Sequence, residues 1–279
     1  MVLKSYAKIN LSLTVNKKLA NGLHDIQSIF CLVNLKDTVS IKKFKSSYKD
    51  KISFVGPYSK DVNLSNNSIK ILLNVMRKYK LISNFFNIKI HKNIPVFSGL
   101  GGGSSNATTI FKFLLKKKIK KSVFYKIINQ ISSDMSLFFF NQGYQNNLNK
   151  ITKLKKKHKL YFLVVVPNIK CSTKFIYSKV NKYSKKKILN EKNFNNKKKF
   201  IEYLMTLNND LQLVVEKEFP IIRKLLFNIS RIQGCYFSRL TGSGSACYGL
   251  FRDLNSSKVA AKKLRKKYPK YWLSIAKTI

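Results

Sequence analysis

Acidic residues, arginine and cysteine are all scarce in this chain of 279 residues. Only 11 Asp and Glu stand against 55 Lys and Arg, which gives a formal net charge of +44. Six of the basic residues are arginines, and bidentate recognition of phosphates and guanines favours arginine, so we do not expect sequence-specific binding of nucleic acid. Lys, Asn, Ile, Phe and Tyr are abundant instead, as in a proteome that drifts toward AT-rich codons. We interpret the charge as a solvated lysine surface that also attracts anionic substrates.

Metal-binding spacings and long apolar runs are missing as well. The four cysteines show no C-x-x-C spacing, which argues against a zinc site and against a disulfide framework. No apolar run approaches the roughly 18 residues of a membrane span, and the longest one, residues 160–167, has the length of a buried strand. The first residues lack the apolar core of a signal peptide. These features predict a cytoplasmic protein without a membrane segment.

The beginning of the chain has the pattern of a strand followed by a turn. Apolar and polar residues alternate over residues 9–15, which predicts a half-buried strand with Lys8 and Asn10 on its polar face. Residues 21–25 then carry the composition of a turn.

Helical and strand periods follow in the middle of the chain. Asn67 precedes apolar residues at helical spacing and predicts a helix start. Residues 86–90 alternate as a strand, and a helix is predicted after residue 103. Residues 137–140 are predicted to form a buried strand.

A second domain is expected after the lysine run at residues 153–159. Beyond it the patterns give a buried strand, helices, two strands, a helix and a final strand, interrupted by a lysine- and asparagine-rich stretch at about 179–199. This order, β-α-β-β-α-β, predicts a ferredoxin-like half.

The sharpest motif is a glycine-rich segment between a predicted strand and a predicted helix. It reads Pro95-Val96-Phe97-Ser98-Gly99-Leu100-Gly101-Gly102-Gly103-Ser104-Ser105-Asn106. Glycines let backbone N–H groups approach a ligand closely, and the start of the next helix adds further donors, so the segment suits a phosphate. It is neither a Walker A motif nor a Rossmann motif, since it lacks Gly-Lys-Ser/Thr and the G-x-G-x-x-G spacing.

This segment resembles the phosphate-binding motif of the GHMP kinase superfamily. Two more stretches agree in the right order: Ala7-Lys8-Ile9-Asn10-Leu11 resembles its N-terminal motif, and Arg239-Leu240-Thr241-Gly242-Ser243-Gly244-Ser245-Ala246 resembles its C-terminal glycine-rich motif. Within the superfamily, the turn Asn21-Gly22-Leu23-His24 is similar to that of kinases acting on a cytidine-diphosphate sugar alcohol of the non-mevalonate isoprenoid pathway.

The resemblance implies an α+β fold of two domains. An N-terminal ATP-binding and catalytic domain, similar to domain 2 of ribosomal protein S5, would span residues 1–152, and a ferredoxin-like domain would span residues 153–279. It further implies an active site in the cleft between them, ATP and Mg²⁺ as cofactors, and nucleotide binding by all of residues 95–106 and by Asn67. An N-cap role explains Asn67 almost as well.

Lys8 and Asp134 are the catalytic residues that the resemblance implies. Asp134 would accept the proton of the attacking hydroxyl, although an Asp at a helix end also suits a cap or turn. Lys8 would stabilise the developing alkoxide and the γ-phosphate. The family usually has Gly-Ala-Asp-Val-Pro around this Asp, where the chain has Ser132-Ser133-Asp134-Met135-Ser136.

The resemblance also places four residues at the second substrate. Asn10 would hydrogen-bond its hydroxyls, His24 would hold the cytosine edge, Tyr177 would stack on the base, and Thr241 would help close the site. The usual aromatic residue before the histidine is Leu23 here, which weakens stacking from that side. Packing alone would also account for Tyr177, and an ordinary surface position for His24.

Two other functions stay open. Another small-molecule kinase, such as a homoserine kinase, shares the glycine loop but does not explain the turn at His24. A basic nucleic-acid-binding protein that keeps a degenerate kinase fold is the other. The expected partners are small-molecule substrates, without a specific nucleic acid or a membrane, and the sequence leaves the oligomeric state open.

Overall fold

The computed structural model describes residues 1–44, 48–187 and 194–279. The strands are β1 (Val2–Asn10), β2 (Thr14–Lys18), β3 (His24–Phe44), β4 (Lys51–Val55), β5 (Phe85–His91), β6 (Gln142–Asn147), β7 (Lys150–Lys153), β8 (Tyr161–Val166), β9 (Cys235–Leu240), β10 (Cys247–Phe251) and β11 (Trp272–Lys277). The helices are α1 (Ser68–Lys78), α2 (Gly102–Leu114), α3 (Lys121–Ile131), α4 (Thr173–Ser178), α5 (Lys197–Met205), α6 (Asp210–Glu218), α7 (Ile221–Ser230) and α8 (Leu254–Lys267). Short 3₁₀ helices cover Ser59–Asp61 and Ser133–Phe139.

The chain forms two compact units that alternate along the sequence. The first contains Met1–Lys8, Leu35–Val96 and Gly101–Phe139, and the second contains Ile9–Asn34, Phe97–Leu100 and Phe140–Ile279. The linear domain boundary between residues 152 and 153 stays a prediction.

The first unit packs three helices beside short strands. The end of β3 pairs antiparallel with β5, and β5 pairs parallel with β4. Apolar side chains of α1 and α2 pack against β5 in one buried core, as their helical spacing predicts. This core includes Ile69, Leu72, Leu73 and Met76 of α1, Ile110 and Phe111 of α2, and Ile88 and Ile90 of β5. The Asn67 side chain accepts the N–H groups of Ile69 and Lys70, both at 3.1 Å, and so defines the start of α1. The helix predicted at Asn67 and the strand predicted at residues 86–90 are therefore confirmed.

The second unit contains a four-stranded antiparallel sheet. Its strand order is β11-β8-β10-β9, so the first strand of the set lies between the last and the third. This order is ferredoxin-like, as the pattern of elements predicted. A buried core joins β8 and β10 to α6, α7 and α8. Among the described residues no helix is long and apolar enough to cross a bilayer.

Three predictions about local structure were wrong or incomplete. Residues 137–140 belong to a 3₁₀ helix rather than a strand, because a short apolar run does not distinguish the two. The single half-buried strand predicted over residues 9–15 is divided between the end of β1 and the start of β2, and its polar face is buried too, since Lys8 and Asn10 are each only 2% exposed. Helices α4 and α6 had not been predicted. Part of the lysine- and asparagine-rich stretch, residues 188–193, lies outside the described residues.

Candidate active site

The N-terminus of α2 in the first unit is shaped to receive an anion. Gly101 caps the helix in the left-handed conformation, with φ of 72°, and Gly102 and Gly103 form the first turn. The first N–H groups of any helix lack acceptors within that helix, and the helix dipole favours negative charge there. No side chain caps this end of α2, so the backbone donors can bind phosphate oxygens.

Other side chains of the protein occupy the space that a side chain on Gly101 or Gly102 would need. A Cβ atom on Gly101 would lie 2.7 Å from Phe138 Cζ and 3.2 Å from Lys8 Cγ. One on Gly102 would lie 3.1 Å from Lys92 Nζ and 3.3 Å from Ile94 Cγ2. A side chain at Gly101 would overlap the Phe138 ring and crowd the aliphatic stem of Lys8, and one at Gly102 would crowd the Lys92 ammonium, which lies directly behind the loop.

Lys8 and Asp134 form an ion pair in the same unit. Lys8 Nζ lies 3.3 Å from Asp134 Oδ2, and the side chains are 3% and 32% exposed. The backbone N–H of Asp134 donates to Ser132 Oγ at 3.3 Å, and the Ser132 and Ser104 hydroxyls are hydrogen-bonded at 2.7 Å. A half-exposed carboxylate and a buried ammonium thus lie beside the first turn of α2. Their catalytic roles stay predictions.

Ser105 and Asn106 point into the protein. Ser105 Oγ donates to the Tyr6 carbonyl at 2.6 Å, and Asn106 Nδ2 donates to Ser5 Oγ at 2.8 Å. Both residues are 2% exposed. Their side-chain donors are therefore engaged inside the unit, and the backbone N–H of Ser105 donates to the Gly101 carbonyl at 2.9 Å. Their nucleotide-binding role stays a prediction.

A buried ion pair that the sequence reasoning missed lies under the loop. Lys92 Nζ donates to Asp37 Oδ2 and, at 3.0 Å, to Asn106 Oδ1. Burial lowers the pKa of Lys92, and the neighbouring Asp37 carboxylate opposes that shift. In a chain with 55 basic residues nothing in the sequence distinguishes this lysine from the surface ones.

Asn67 and Ser68 connect α1 to the same loop. Ser68 Oγ donates to the Gly103 carbonyl at 3.1 Å. Asn67 also donates from Nδ2 to the carbonyls of Asn63 and Leu64, at 3.1 and 3.3 Å. Its place near the adenosine stays a prediction beside its evident role as N-cap.

In the second unit, the first part of the glycine-rich segment packs on the turn after β9. Pro95 and Val96, with which the segment begins, belong to the first unit, and Phe97–Leu100 belong to the second. The Phe97 and Ser98 carbonyls accept the N–H groups of Ser245 at 3.3 Å and Ala246 at 3.0 Å. Gly99 has a φ of 75°, and a Cβ there would overlap the Thr241 carbonyl oxygen. Leu100 is buried, whereas the Phe97 ring is 46% exposed.

The turn after β9 is also held by Asn10 and Asn209. Thr241 Oγ1 accepts the backbone N–H of Asn10 at 2.9 Å, and Asn209 Nδ2 donates to the carbonyls of Leu240 and Gly242, both at 2.9 Å. Asn10 Nδ2 donates to Ser28 Oγ at 2.7 Å. The N-terminal motif, residues 7–11, and the C-terminal glycine-rich motif, residues 239–246, are therefore linked by the hydrogen bond between Asn10 and Thr241.

The Arg239 guanidinium is buried behind this turn without a carboxylate partner among the contacts described. It donates to the carbonyls of Leu11, Leu204 and Leu207, and its Cζ lies 4.3 Å from the centre of the Phe237 ring. One planar cation thereby ties three backbone segments together.

Three aromatic rings gather at the start of β3. The His24 and Tyr177 rings lie 4.9 Å apart between centroids, and the Tyr183 ring lies 6.3 Å from His24. Burial and, to a smaller extent, Lys18 lower the pKa of His24. Leu23, in the adjoining turn, is 45% exposed. Tyr183 was missed because it lies in a lysine-rich stretch without periodicity.

Comparison with known proteins identifies the family of the chain. The profile of the GHMP kinases N terminal domain matches residues 66–142, and the profile of the GHMP kinases C terminal domain matches residues 191–270. A 4-diphosphocytidyl-2-C-methyl-D-erythritol kinase of Pelagibacter ubique is 37% identical over 290 aligned residues, covering 99% of this chain and 98% of that protein. One of Thermodesulfovibrio yellowstonii is 32% identical and covers 99% and 97%.

Solved structures share the fold. A crystal structure of 4-(cytidine 5'-diphospho)-2C-methyl-D-erythritol kinase superposes with a TM-score of 0.74 at 20% identity over 99% of both chains. The homoserine kinase of Cytophaga hutchinsonii gives 0.66 at 14% identity, covering 100% of this chain and 94% of that one. The chain belongs to the GHMP kinase family, whose members are enzymes that transfer phosphate from ATP to small molecules.

Proposed function

We propose that this kinase transfers the γ-phosphoryl group of ATP to the 2-hydroxyl of 4-diphosphocytidyl-2-C-methyl-D-erythritol, in the non-mevalonate isoprenoid precursor pathway. The names of relatives that align over nearly the whole chain support the substrate. The observation that carries the chemistry is the Lys8–Asp134 pair, 3.3 Å apart beside the N-terminus of α2.

The reaction needs positioning, charge neutralisation and a proton acceptor. The Gly102 and Gly103 N–H groups would bind phosphate oxygens of ATP. The substrate hydroxyl oxygen attacks the γ-phosphorus, the bond from that phosphorus to the β–γ bridging oxygen breaks, and ADP leaves. The hydroxyl proton passes to an Asp134 oxygen. Lys8, only 3% exposed, would stabilise the negative charge shared by the attacking oxygen and the γ-phosphoryl group.

The second substrate would contact residues of the second unit. His24 and Tyr177 present adjoining rings, which suits a planar base. Asn10 and Thr241, joined by a hydrogen bond, would face the hydroxyl groups and help to close the site.

Magnesium fits this arrangement as a companion of ATP. The described residues include no cluster of three or more His, Cys, Asp or Glu. Mg²⁺ that accompanies a nucleotide commonly takes most ligands from phosphates and water and one or two from protein oxygens. Because Ser105 and Asn106 are engaged inside the unit and Asp134 is paired with Lys8, the Ser104 hydroxyl is the protein oxygen that we propose for it. The ion would neutralise phosphate charge.

A substrate panel tests the proposal. Purified protein with ATP and Mg²⁺ should form ADP with the diphosphocytidyl alcohol, and phosphorus NMR should place the new phosphate on the 2-hydroxyl. Homoserine and mevalonate in parallel should give turnover at least about 100-fold lower, as expected where a site's polar groups are left unpaired. Turnover with homoserine alone would favour the rival kinase, and no turnover with any alcohol would contradict the proposal. A cytoplasmic location stays a prediction.

A further inference from the structure

A second buried lysine lies behind the phosphate loop, and the chemistry proposed above does not use it. Lys8 packs under Gly101, and Lys92 packs under the next residue, with its Nζ atom 3.1 Å from the position of a Cβ on Gly102. Lys92 is 2% exposed. A lysine is almost never buried this deeply unless its charge is paired.

Lys92 is paired by groups from both sides of the loop. Its ammonium donates to Asp37 on β3 and to Asn106 Oδ1 on α2. Asn106 Nδ2 in turn donates to Asp37 Oδ2 at 3.0 Å, which closes a ring of three side chains. All three residues are at most 2% exposed, so water screens the ring little.

The same carboxylate also holds the chain where it enters the loop. Asp37 Oδ1 accepts the N–H of Asn93 at 2.7 Å and that of Ile94 at 2.9 Å. The ring thus fixes the end of β5, through residues 92–94, and the first turns of α2, through Asn106. Both flanks of the glycine run are held by one polar network, and such a network is strong only when every member is present.

The orientation of the ring matters for an anion. The Lys92 ammonium lies directly under Gly102, whereas Asp37 turns its Oδ1 atom toward the N–H groups of residues 93 and 94. The Lys92–Asp37 pair is neutral as a whole, but the Lys92 ammonium nitrogen is the atom nearest to a Cβ position on Gly102, so the pair presents its positive end to the loop. In a poorly screened site, such an oriented pair of charges acts over several ångströms.

From this geometry we propose that Lys92 is a positioning residue for the nucleotide phosphates: it holds Gly102 in place and adds positive potential behind the N–H donors of α2. The proposal rests on the proposed function, in that it assumes ATP at this loop. It predicts that Lys92 affects the binding of phosphates and not that of the nucleoside.

The test removes the charge while sparing the fold. Lys92→Met alone leaves the Asp37 carboxylate buried without its cation, so the main variant is Lys92→Met with Asp37→Asn, which is neutral and keeps an oxygen for the N–H groups of residues 93 and 94. Calorimetry should show ATP affinity weakened about tenfold or more, with adenosine affinity unchanged within about twofold. Lys92→Met alone should weaken ATP binding further, because a negative charge then lies under the phosphates.

The matched control is another ion pair of the first unit, Arg77 with Asp50, which lies outside the proposed site. Arg77 contacts Asp50 at 2.7 and 2.9 Å at the far end of α1, and Arg77→Met with Asp50→Asn should leave both affinities unchanged. If the double variant at Lys92 does not fold by circular dichroism, Lys92→Gln with Asp37→Asn keeps an amide donor for Asn106 and carries the same expectation.

Each result separates the two proposals. Wild-type protein that binds no ATP would contradict the proposed function itself. Wild-type binding with an unchanged double variant would refute the role of Lys92 alone. Equal losses for ATP and adenosine would also refute it, since they would show general damage to the site.

Discussion

The ion pair between Lys8 and Asp134 gives the most direct test of the chemistry. Asp134→Asn removes the proton acceptor, and Lys8→Met removes the ammonium while it keeps most of the stem that packs under Gly101. Loss of a general base typically lowers kcat about 10²–10⁴-fold. We expect that loss for Asp134→Asn, with ATP binding retained, because Asp134 is not among the backbone donors at the start of α2.

The separation of the two groups sets the size of their coupling. At 3.3 Å, two unit charges interact by about 5 kcal/mol at an effective dielectric constant of about 20, and by about 1 kcal/mol in bulk water. Asp134 is 32% exposed, so a value of about 1–3 kcal/mol is reasonable. The double variant should therefore lose about 5–150-fold less than the product of the two single losses.

Single-turnover and steady-state kinetics with the diphosphocytidyl alcohol would measure these losses, with calorimetry for ATP. The variant Arg77→Met with Asp50→Asn, which removes an ion pair elsewhere in the first unit, should keep its kcat. Near-normal kcat in Asp134→Asn would refute the assignment of the base. Fully multiplicative losses would show that the two residues act independently despite their contact.

Four further outcomes are expected. Tyr177→Ala should raise the KM of the cytidine substrate about 5–150-fold and leave the KM of ATP unchanged, with Tyr177→Phe as control, because base stacking contributes about 1–3 kcal/mol; equal changes in both would make Tyr177 merely structural. Asn67→Ser keeps a capping oxygen, so the midpoint of urea unfolding should be unchanged while the KM of ATP rises. An unchanged KM would show that Asn67 acts only as the N-cap of α1. Burial lowers the pKa of His24 and of His158 from 6.5, so below that pH the unfolded chain binds protons that the folded chain does not. Thermal melts should therefore show that stability falls as the pH drops below 6.5 and stays constant above about 7.5. Duplex DNA should bind weakly, regardless of sequence, and dissociate with added salt; a salt-resistant, selective complex in filter binding would overturn the interpretation of the charge.

Periodicity predicted the elements that bury one face. The spacing of apolar residues in α1 and the alternation in β5 follow directly from which side chains meet the core, so both were predictable. The 3₁₀ helix at Ser133–Phe139 was not, because four apolar residues in a row suit either structure and only the surrounding contacts decide. Lys112, for example, donates to the Phe138 carbonyl at 2.7 Å, a contact over 26 residues that no local pattern reveals.

The glycine motifs were visible in the sequence, and their surroundings were not. A glycine at position 102 indicates that another group lies close to the backbone there, but the sequence gives no indication that this group is Lys92. Asp37 lies 55 residues before Lys92, within an ordinary strand. Ser105 and Asn106 belong to the segment predicted to bind the nucleotide, yet their side chains face inward, because the motif alone cannot tell which face of α2 is buried.

The clamp formed by Arg239 suggests how to interpret a proteome that exchanges arginine for lysine. A lysine at this position has one nitrogen and could not reach the Leu11 carbonyl on one segment and the Leu204 and Leu207 carbonyls on another, whereas the guanidinium fork does. Arg77 is similar, with two nitrogens on the two oxygens of Asp50, and Arg231 lies over the ring of Phe227. At Arg239 and Arg77 the planar shape of the guanidinium, and not its charge alone, is therefore what the contacts use. In a chain whose basic residues are nearly all lysines, the two arginines with bonds from two nitrogens thus hold the backbone and a partly buried carboxylate in ways that its lysines could not.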